Sequence, residues 1–495
     1  MSGSDRKKAV LGVYWMSFMS VGTVMMKLLI MTILSRLLLP VEFGAVAAVY
    51  VVVSFAEIFW MMGIGPAIIQ KKTLTESDIV TGNILNILFG LIIYLVIYIF
   101  ASAIAGFVGI ENIPMLRVFS LIFIIHSISG VPQSLLQRDM KFKQLSLINI
   151  FSLFLYGGFA IFFALAGLGA WSLVFAHIAQ AAVKTISLLI IKRIPLSLNV
   201  TMSSVKDLLF LGTGFTLSRV VNNFALQGDN FVVSRALGSF SLGFYNRAYQ
   251  LLLVPTNLIG SVLDKVLFPL FAKYQDKHEK IKYVFLNITA FVALMALPIT
   301  VFSLVMGGDL IRTVLGPNWD DVEVLFKVLI ISLFFRTAYK ISDALVKSLG
   351  AVYKRTWLQV IYATLVIGGA YIGKEWGVSG VAVSTSIAIF LSYVMVTFLL
   401  KLQVNLKTTE LITYLAPVFL VTAPIGTVVY FVGLMLTDFS YPVVRLIITG
   451  TVTLILYAVS FKYFLVRSMP RDFIDFLNVI KEITFASKVF KFFIN

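Results

Sequence analysis

The sequence predicts an all-α, multi-pass membrane protein of fourteen transmembrane helices, and three observations predict it. Of 495 residues, 59% are hydrophobic and only 13% charged, with a mean hydropathy of +0.97, whereas soluble domains carry nearer a quarter charged residues. Apolar runs of about 20 residues, enough to cross about 30 Å of hydrocarbon as helix, recur along the whole chain. Lys and Arg gather in every second polar break between those runs, as the orientation rule for membrane helices requires.

The runs lie near 10–35, 45–66, 82–108, 115–136, 146–166, 171–191, 207–234, 244–268, 283–306, 322–346, 355–373, 378–400, 411–434 and 443–465. With the amino terminus (Arg6, Lys7, Lys8) inside, 26 of the 40 Lys and Arg fall in inner breaks or at the inner ends. The outer breaks hold seven: Arg36, Arg117, Arg235, Arg247, Arg312, Lys374 and Arg445. That bias places both termini in the cytoplasm and calls for an even number of spans. The first run is longer than a signal peptide's apolar region and is followed by no small-residue cleavage site, so it is expected to be retained.

The same composition removes several function classes. There is no Cys, which excludes disulfide scaffolds, thiolate metal sites and cysteine nucleophiles. Three scattered His do not make a metal cluster. A net charge of +17 spread between apolar runs, rather than collected on one water-facing patch, argues against nucleic acid as a partner. No hydrophilic segment between runs exceeds about 20 residues, which leaves no room for a soluble catalytic domain. After Pro470, apolar Phe473, Phe476, Leu477, Ile480, Ile483 and Phe490 interleave at helical spacing with Arg471, Asp475, Asn478, Lys481, Lys488 and Lys491. This cytoplasmic tail reads either as an amphipathic helix on the inner leaflet or as a helix docked on the protein's own loops.

An internal repeat sets the domain organisation. Ser35-Arg36-Leu37-Leu38-Leu39-Pro40-Val41-Glu42-Phe43-Gly44 closes the first run, and Ser234 to Gly243 closes the seventh. At a constant offset of 199 residues, Ser, Arg, Leu and Gly coincide. Six spans separate equivalent points, so the two halves share one orientation. The expected division is an N-lobe at 1–206, a C-lobe at 207–402, a two-helix appendage at 403–469 and the tail at 470–495.

These motifs carry a resemblance. Ser-Arg-x-Leu followed by Gly44, its cousin running on into Phe244-Tyr245-Asn246-Arg247-Ala248-Tyr249, and Leu267-Phe268-Pro269 at the end of the eighth run resemble Wzx-type polysaccharide flippases. That branch belongs to the MOP exporter superfamily, with lipid II flippases and multidrug exporters of the MATE type. The resemblance implies two six-helix lobes in pseudo-two-fold arrangement around a central cavity that opens to one side at a time. It also implies a bacterial cytoplasmic membrane, and, as in lipid II flippases, two extra helices beside a groove for a polyprenyl tail. The implied substrate is a polyprenyl-diphosphate-linked glycan moved from inner to outer leaflet, with the bilayer and other polysaccharide-assembly proteins as partners.

Ionisable residues at membrane depth are costly and therefore mark function. Lys27 and Arg219 each lie at least eight residues from the nearer end of their runs, and they offer fixed cations to a phosphorylated substrate. Arg336, Lys340, Asp343 and Lys347 follow steps of four, three and four, which puts them on one helical face. That face is either a wet lining that attracts an anion or a ladder in which Asp343 neutralises its neighbours. Glu57 and Asp229 are either Na+ or H+ coupling sites or counter-ions for Lys27 and Arg219, and His126 reads as a hydrogen-bonded bundle residue. Lys184, Asp264, Lys265 and Lys327 sit nearer span ends, where long side chains reach the interface. Pro255, Pro298 and Pro417, with Gly212 and Gly214, are candidate hinges. No catalytic residue and no cofactor is expected, and no Gly-x4-Gly-Lys-Ser/Thr nucleotide loop is present. Two rival functions remain: a MATE-like small-molecule exporter, which calls for carboxylates in its cavity, and a membrane glycosyltransferase or polymerase, which calls for a long outer catalytic loop.

Overall fold

A computed structural model describes residues 21–61, 63–195, 200–273, 278–349 and 352–486, with backbone alone at 60–61, 211–219, 261–273, 278, 347, 352–353 and 479–486. Among the described residues there is no strand. Hydrocarbon offers no hydrogen bonds, so each crossing segment must satisfy its own backbone. Helices are the result.

In chain order they are α1 (21–37), α2 (Pro40–Met61), α3 (Ile64–Gln70), α4 (Glu76–Ile99), α5 (Ala101–Val108), α6 (Ile113–Phe119), α7 (Ile122–Arg138), α8 (Phe142–Leu165) and α9 (Ala170–Ile191). Then follow α10 (Met202–Lys273), α11 (His278–Val305), α12 (Gly307–Val314), α13 (Val322–Ile330), α14 (Leu333–Ser348), α15 (Val352–Gly373), α16 (Gly377–Val404), α17 (Thr408–Met435) and α18 (Pro442–Ser460). A π turn at Phe461–Leu465 leads to α19 (Val466–Ser468) and α20 (Arg471–Ala486). Nine helical stretches among the described residues are long and apolar enough to cross a membrane. The chain is therefore a multi-pass membrane protein.

Local chemistry places the breaks. Thr75 caps α4 and Asp78 closes a capping box, Thr75 N donating to Asp78 Oδ2 at 3.0 Å and Asp78 N to Thr75 Oγ1 at 3.2 Å. The Asp78 carboxylate is buried and also takes the Lys71 ammonium at 2.8 Å and the Ser204 hydroxyl at 2.6 Å. Lys71 bonds Asp207 too, at 2.8 Å, and these carboxylates push its pKa up from the ordinary lysine value, Asp207 first. The Arg138 guanidinium donates to the carbonyls of Ile68 and Lys71, each at 2.6 Å, and so satisfies the end of α3. The 72-residue α10 is two helices joined at Gly238, whose φ of 81° and ψ of 172° no helix contains. By contrast α11 and α17 run on through Pro298 and Pro417, as helices flanked by neighbours in a membrane can.

The helices form two compact units. The first comprises Met1–Val254, Val314–Leu325 and Gln359–Ala388, and the second Pro255–Thr313, Phe326–Leu358 and Ile389–Asn495. In the first, α8 packs on α9 and α4 on α7; in the second, α11 packs on α17 and α14. The seam in α10 falls at Pro255, a candidate hinge, and the seventh run stays with the first six, a different cut from the repeat boundary at 206/207. The start of α20 docks on α11 in the second unit: Tyr283 donates to the Asp472 carbonyl at 3.0 Å and Phe473 is fully buried. The tail's Ile480, Lys481 and Ile483 side chains, and Lys488, Phe490 and Lys491, lie outside the described residues, as do Arg6, Lys7 and Lys8.

Within the first unit the two repeat motifs touch. A Cβ added at Gly44 would lie 1.7 Å from the Ser239 carbonyl oxygen, and one added at Gly243 would lie 2.2 Å from that of Pro40. Only a side chain of hydrogen allows that approach. Buried Trp319 completes the contact, its Nε1 donating to the Ser35 carbonyl at 2.8 Å and its ring 5.5 Å from that of Phe43. Arg235 stacks over the Phe107 ring at 4.9 Å and donates to the Phe107 carbonyl. Gly44→Ala is expected to destabilise the detergent-solubilised protein by about 1 to 3 kcal/mol through overpacking. Gly158→Ala, where an added Cβ meets nothing within 4 Å, is the thermal-unfolding control and should leave the midpoint unchanged.

Candidate functional site

The polar residues of the first unit converge on one recess built on two rails. On α2, Phe43, Tyr50 and Glu57 recur every seven residues, two turns apart, and so share a face with about 10 Å between steps. On α9, His177 and Lys184 have the same spacing. The rails face each other in register. Tyr50 stacks on His177 with ring centroids 6.4 Å apart and planes 29° apart, and one step further Glu57 faces the charge of Lys184. Tyr156 of α8 closes the His177 level at 4.6 Å and Phe119 of α6 backs it at 5.5 Å. Lys27 of α1 lies within electrostatic reach of His177, and His126 of α7 within reach of both His177 and Lys184.

The third cation is Arg247 of α10. Its guanidinium lies 3.7 Å over the Phe43 ring, donates to Gln250 Oε1 at 2.6 Å, and lies within electrostatic reach of the Tyr156 hydroxyl. Its Nε is buried without a hydrogen-bond partner. The recess thus holds Lys27, Lys184 and Arg247 against one carboxylate, Glu57. None of the three cations has a carboxylate within 4.0 Å among the described residues. Tyr50, beside His177 and Tyr156, is 40% exposed, and Lys27 is exposed.

A second polar cluster of the same unit joins α10 to α16. Asp229 is 2% exposed; its Oδ1 accepts the Asn230 amide at 2.8 Å and its Oδ2 the Tyr245 hydroxyl at 2.6 Å. The Tyr245 oxygen meets Thr385 Oγ1 at 3.0 Å, and Asn230 Oδ1 is buried with no partner. This is a buried, oxygen-rich cluster around a carboxylate, of the kind that suits a hard monovalent cation or a proton.

The predicted residues are placed as follows. Lys27 and Glu57 join the recess, and the cation that faces Glu57 is Lys184. Asp229 sits apart from them in its own cluster. The Arg219 side chain lies outside the described residues. Arg336, Lys340 and Asp343 belong to the second unit, where all three are half-buried on α14. There Asp343 is ion-paired to Arg355 of α15 by two bonds, one of them 3.3 Å long, and the Lys340 ammonium lies against Gly260. No cluster of His, Cys, Asp and Glu that could hold a metal occurs among the described residues.

The sequence sets Lys184 near a span end, where the interface is within reach, and singles out neither Arg247 nor His177 for the site. Arg247 was counted among outer-loop charges because it lies near a run's end, although the dense polar set Asn246, Arg247, Gln250 in an apolar helix was the available signal. His177 carried no signal of its own.

The sequence signature of the family described as "Polysaccharide biosynthesis protein" matches residues 33–324, more than half of the chain and nearly all of the recess. The chain belongs to that family. Teichuronic acid biosynthesis protein TuaB of Bacillus subtilis (strain 168) is 26% identical over 444 residues, covering 88% of this chain and 91% of that protein. Succinoglycan biosynthesis transport protein ExoT of Rhizobium meliloti (strain 1021) is 25% identical over 370 residues, covering 74% of this chain and 75% of its own length. Among solved structures, the inward closed conformation of the lipid II flippase MurJ superposes with a TM-score of 0.74 over 92% of this chain and 98% of that one, at 15% identity. That likeness gives the fold.

Tyr245→Phe should leave the buried Asp229 carboxylate short of a donor and cost about 1 to 3 kcal/mol. Adding Asp229→Asn should recover part of that loss in a double-mutant cycle of thermal unfolding.

Proposed function

We propose that the protein is a flippase that carries a polyprenyl-diphosphate-linked oligosaccharide, a cell-surface polysaccharide precursor, from the inner to the outer leaflet by alternating access. The observation that carries this reading is the charge of the recess: three cations against one carboxylate among the described residues, in a chain of the polysaccharide biosynthesis family. A diphosphate needs such a place, since it cannot enter hydrocarbon unaided, whereas the prenyl tail can stay in lipid. Arg offers a fork that matches phosphate oxygens and Lys a point charge. An exporter of cationic drugs calls for the opposite sign, and a glycosyltransferase for a catalytic loop. The reading is of a transporter, not an enzyme.

The finer architecture belongs to the same proposal: fourteen spans in a bacterial cytoplasmic membrane with both termini inside, repeats at 1–206 and 207–402, the pair at 403–469, and the tail at 470–495. Lys27 and Arg247 hold the diphosphate in the first unit, Lys184 is the cation further along the rails beside Glu57, and Arg219 lies on the helix of α10 that precedes Gly238. Arg336 and Lys340 are the cations proposed for the second unit. Asp229, and Glu57 opposite Lys184, are the proposed Na+ or H+ coupling positions, and Asp343 is the counter-ion of Arg355. Moving about two negative charges outward across an inside-negative membrane gains roughly 4 to 5 kcal/mol per 100 mV, so the potential alone favours export.

Each cation makes a charge-assisted contact of about 1.5 to 3 kcal/mol. Lys27→Ala and Arg247→Ala should therefore each slow the appearance of a labelled lipid-linked glycan on the far leaflet of reconstituted vesicles by roughly tenfold or more. Both variants should reconstitute in normal amounts. Transport at the unaltered rate in both would overturn the assignment.

A further inference from the structure

Above the cations lies a surface that charge alone does not account for. Tyr50, His177 and Tyr156 present three rings from three helices at one level, their centroids 6.4 Å and 4.6 Å from that of His177. Behind them the fully buried Phe119 ring supports His177 at 5.5 Å. Tyr50 and Tyr156 make no hydrogen bond to any described residue, although buried tyrosine hydroxyls in a packed core normally find one. Tyr50 is 40% exposed and Tyr156 and His177 are half-buried, so the three rings are not closed off in a packed core.

We propose that the Tyr50–His177–Tyr156 shelf seats the sugar ring bonded directly to the diphosphate, and so helps to set which glycan the protein accepts. The inference rests on the flippase reading and deepens it. A pyranose has a face of C–H groups that packs on aromatic rings and a rim of hydroxyls that prefers water; an exposed aromatic shelf inside a wet recess offers both. The placement follows from covalent geometry. The first sugar is joined to the distal phosphate through one oxygen, so it must lie beside whatever holds that phosphate. Lys27 lies within electrostatic reach of His177, and Arg247 within reach of Tyr156. A phosphate held by either cation therefore brings the adjoining ring onto these rings, while Glu57 and Lys184 lie about 10 Å further along the rails.

The test uses the full-length protein in detergent and three probes: farnesyl diphosphate linked to glucose, to galactose or to N-acetylglucosamine, each compared with farnesyl diphosphate alone. At least one sugar should tighten binding, and Tyr50→Leu and Tyr156→Leu should each remove most of that gain, lowering affinity for the glycosylated probe by roughly tenfold. Affinity for farnesyl diphosphate alone should be unchanged in both. Tyr50→Phe and Tyr156→Phe keep the ring and should retain the gain. Equal losses for glycosylated and bare probes, or no sugar-dependent gain in the unaltered protein, would overturn the shelf and leave diphosphate capture intact. A protein that binds none of the diphosphates would instead remove the reading on which the shelf rests.

Discussion

A cation among membrane helices without a carboxylate beside it is stable only where water or an anion can reach it. Lys27, Lys184 and Arg247 lie in one unit with no carboxylate within 4.0 Å among the described residues, Lys184 nearest the charge of Glu57. The rest of the first unit follows from the need to keep such a place open inside hydrocarbon. Rings rather than methyls line it, since Tyr and His present an apolar body to the helices and a polar edge to water. The seven-residue steps of α2 and α9 keep these side chains on facing surfaces, while the lipid-facing sides carry exposed residues such as Leu95, Ile99, Phe162 and Ile190. By contrast, Asp343 and Arg355 neutralise each other in the second unit, and Asp309 and Arg445 do the same there.

The motif repeated at 35–44 and 234–243 has a packing role distinct from this chemistry. Gly44 and Gly243 let two backbones approach until a methyl group would collide, and Trp319 and Arg235 tie the neighbouring carbonyls. Small residues at such contacts are how membrane helices associate where burial of apolar surface gives no drive. Because Phe43 belongs to the motif and also carries the Arg247 guanidinium on its ring, the contact positions one end of the recess. Motif and site are thus one piece of structure.

Most of the fold was legible in the sequence because membrane helices are specified locally, by apolar length and by positive charge at their ends. The apolar runs at 146–166 and 171–191 correspond to α8 and α9, and the runs at 411–434 and 443–465 to α17 and to α18 with its π turn. The site was legible in part. Lys27 and Glu57 stood out as charges in apolar runs, but distance along the chain says nothing about which side chain faces which. Glu57 therefore meets Lys184 across two helices, and Asp343 meets Arg355 twelve residues on, across a helix junction. Arg247 was hidden by its place near a run's end, and His177 and Tyr156 by belonging to residue types that bundles bury for packing alone.

The account turns on whether the uncompensated cations of the recess attract and hold a diphosphate. The most direct measurement is the affinity of the purified protein for a fluorescent polyprenyl diphosphate, with Lys27, Lys184 and Arg247 all changed to Gln, at two salt concentrations. The account predicts a loss of about a hundredfold or more, together with a weaker salt dependence than that of the unaltered protein. Equal affinity and equal salt dependence in the two proteins would contradict it.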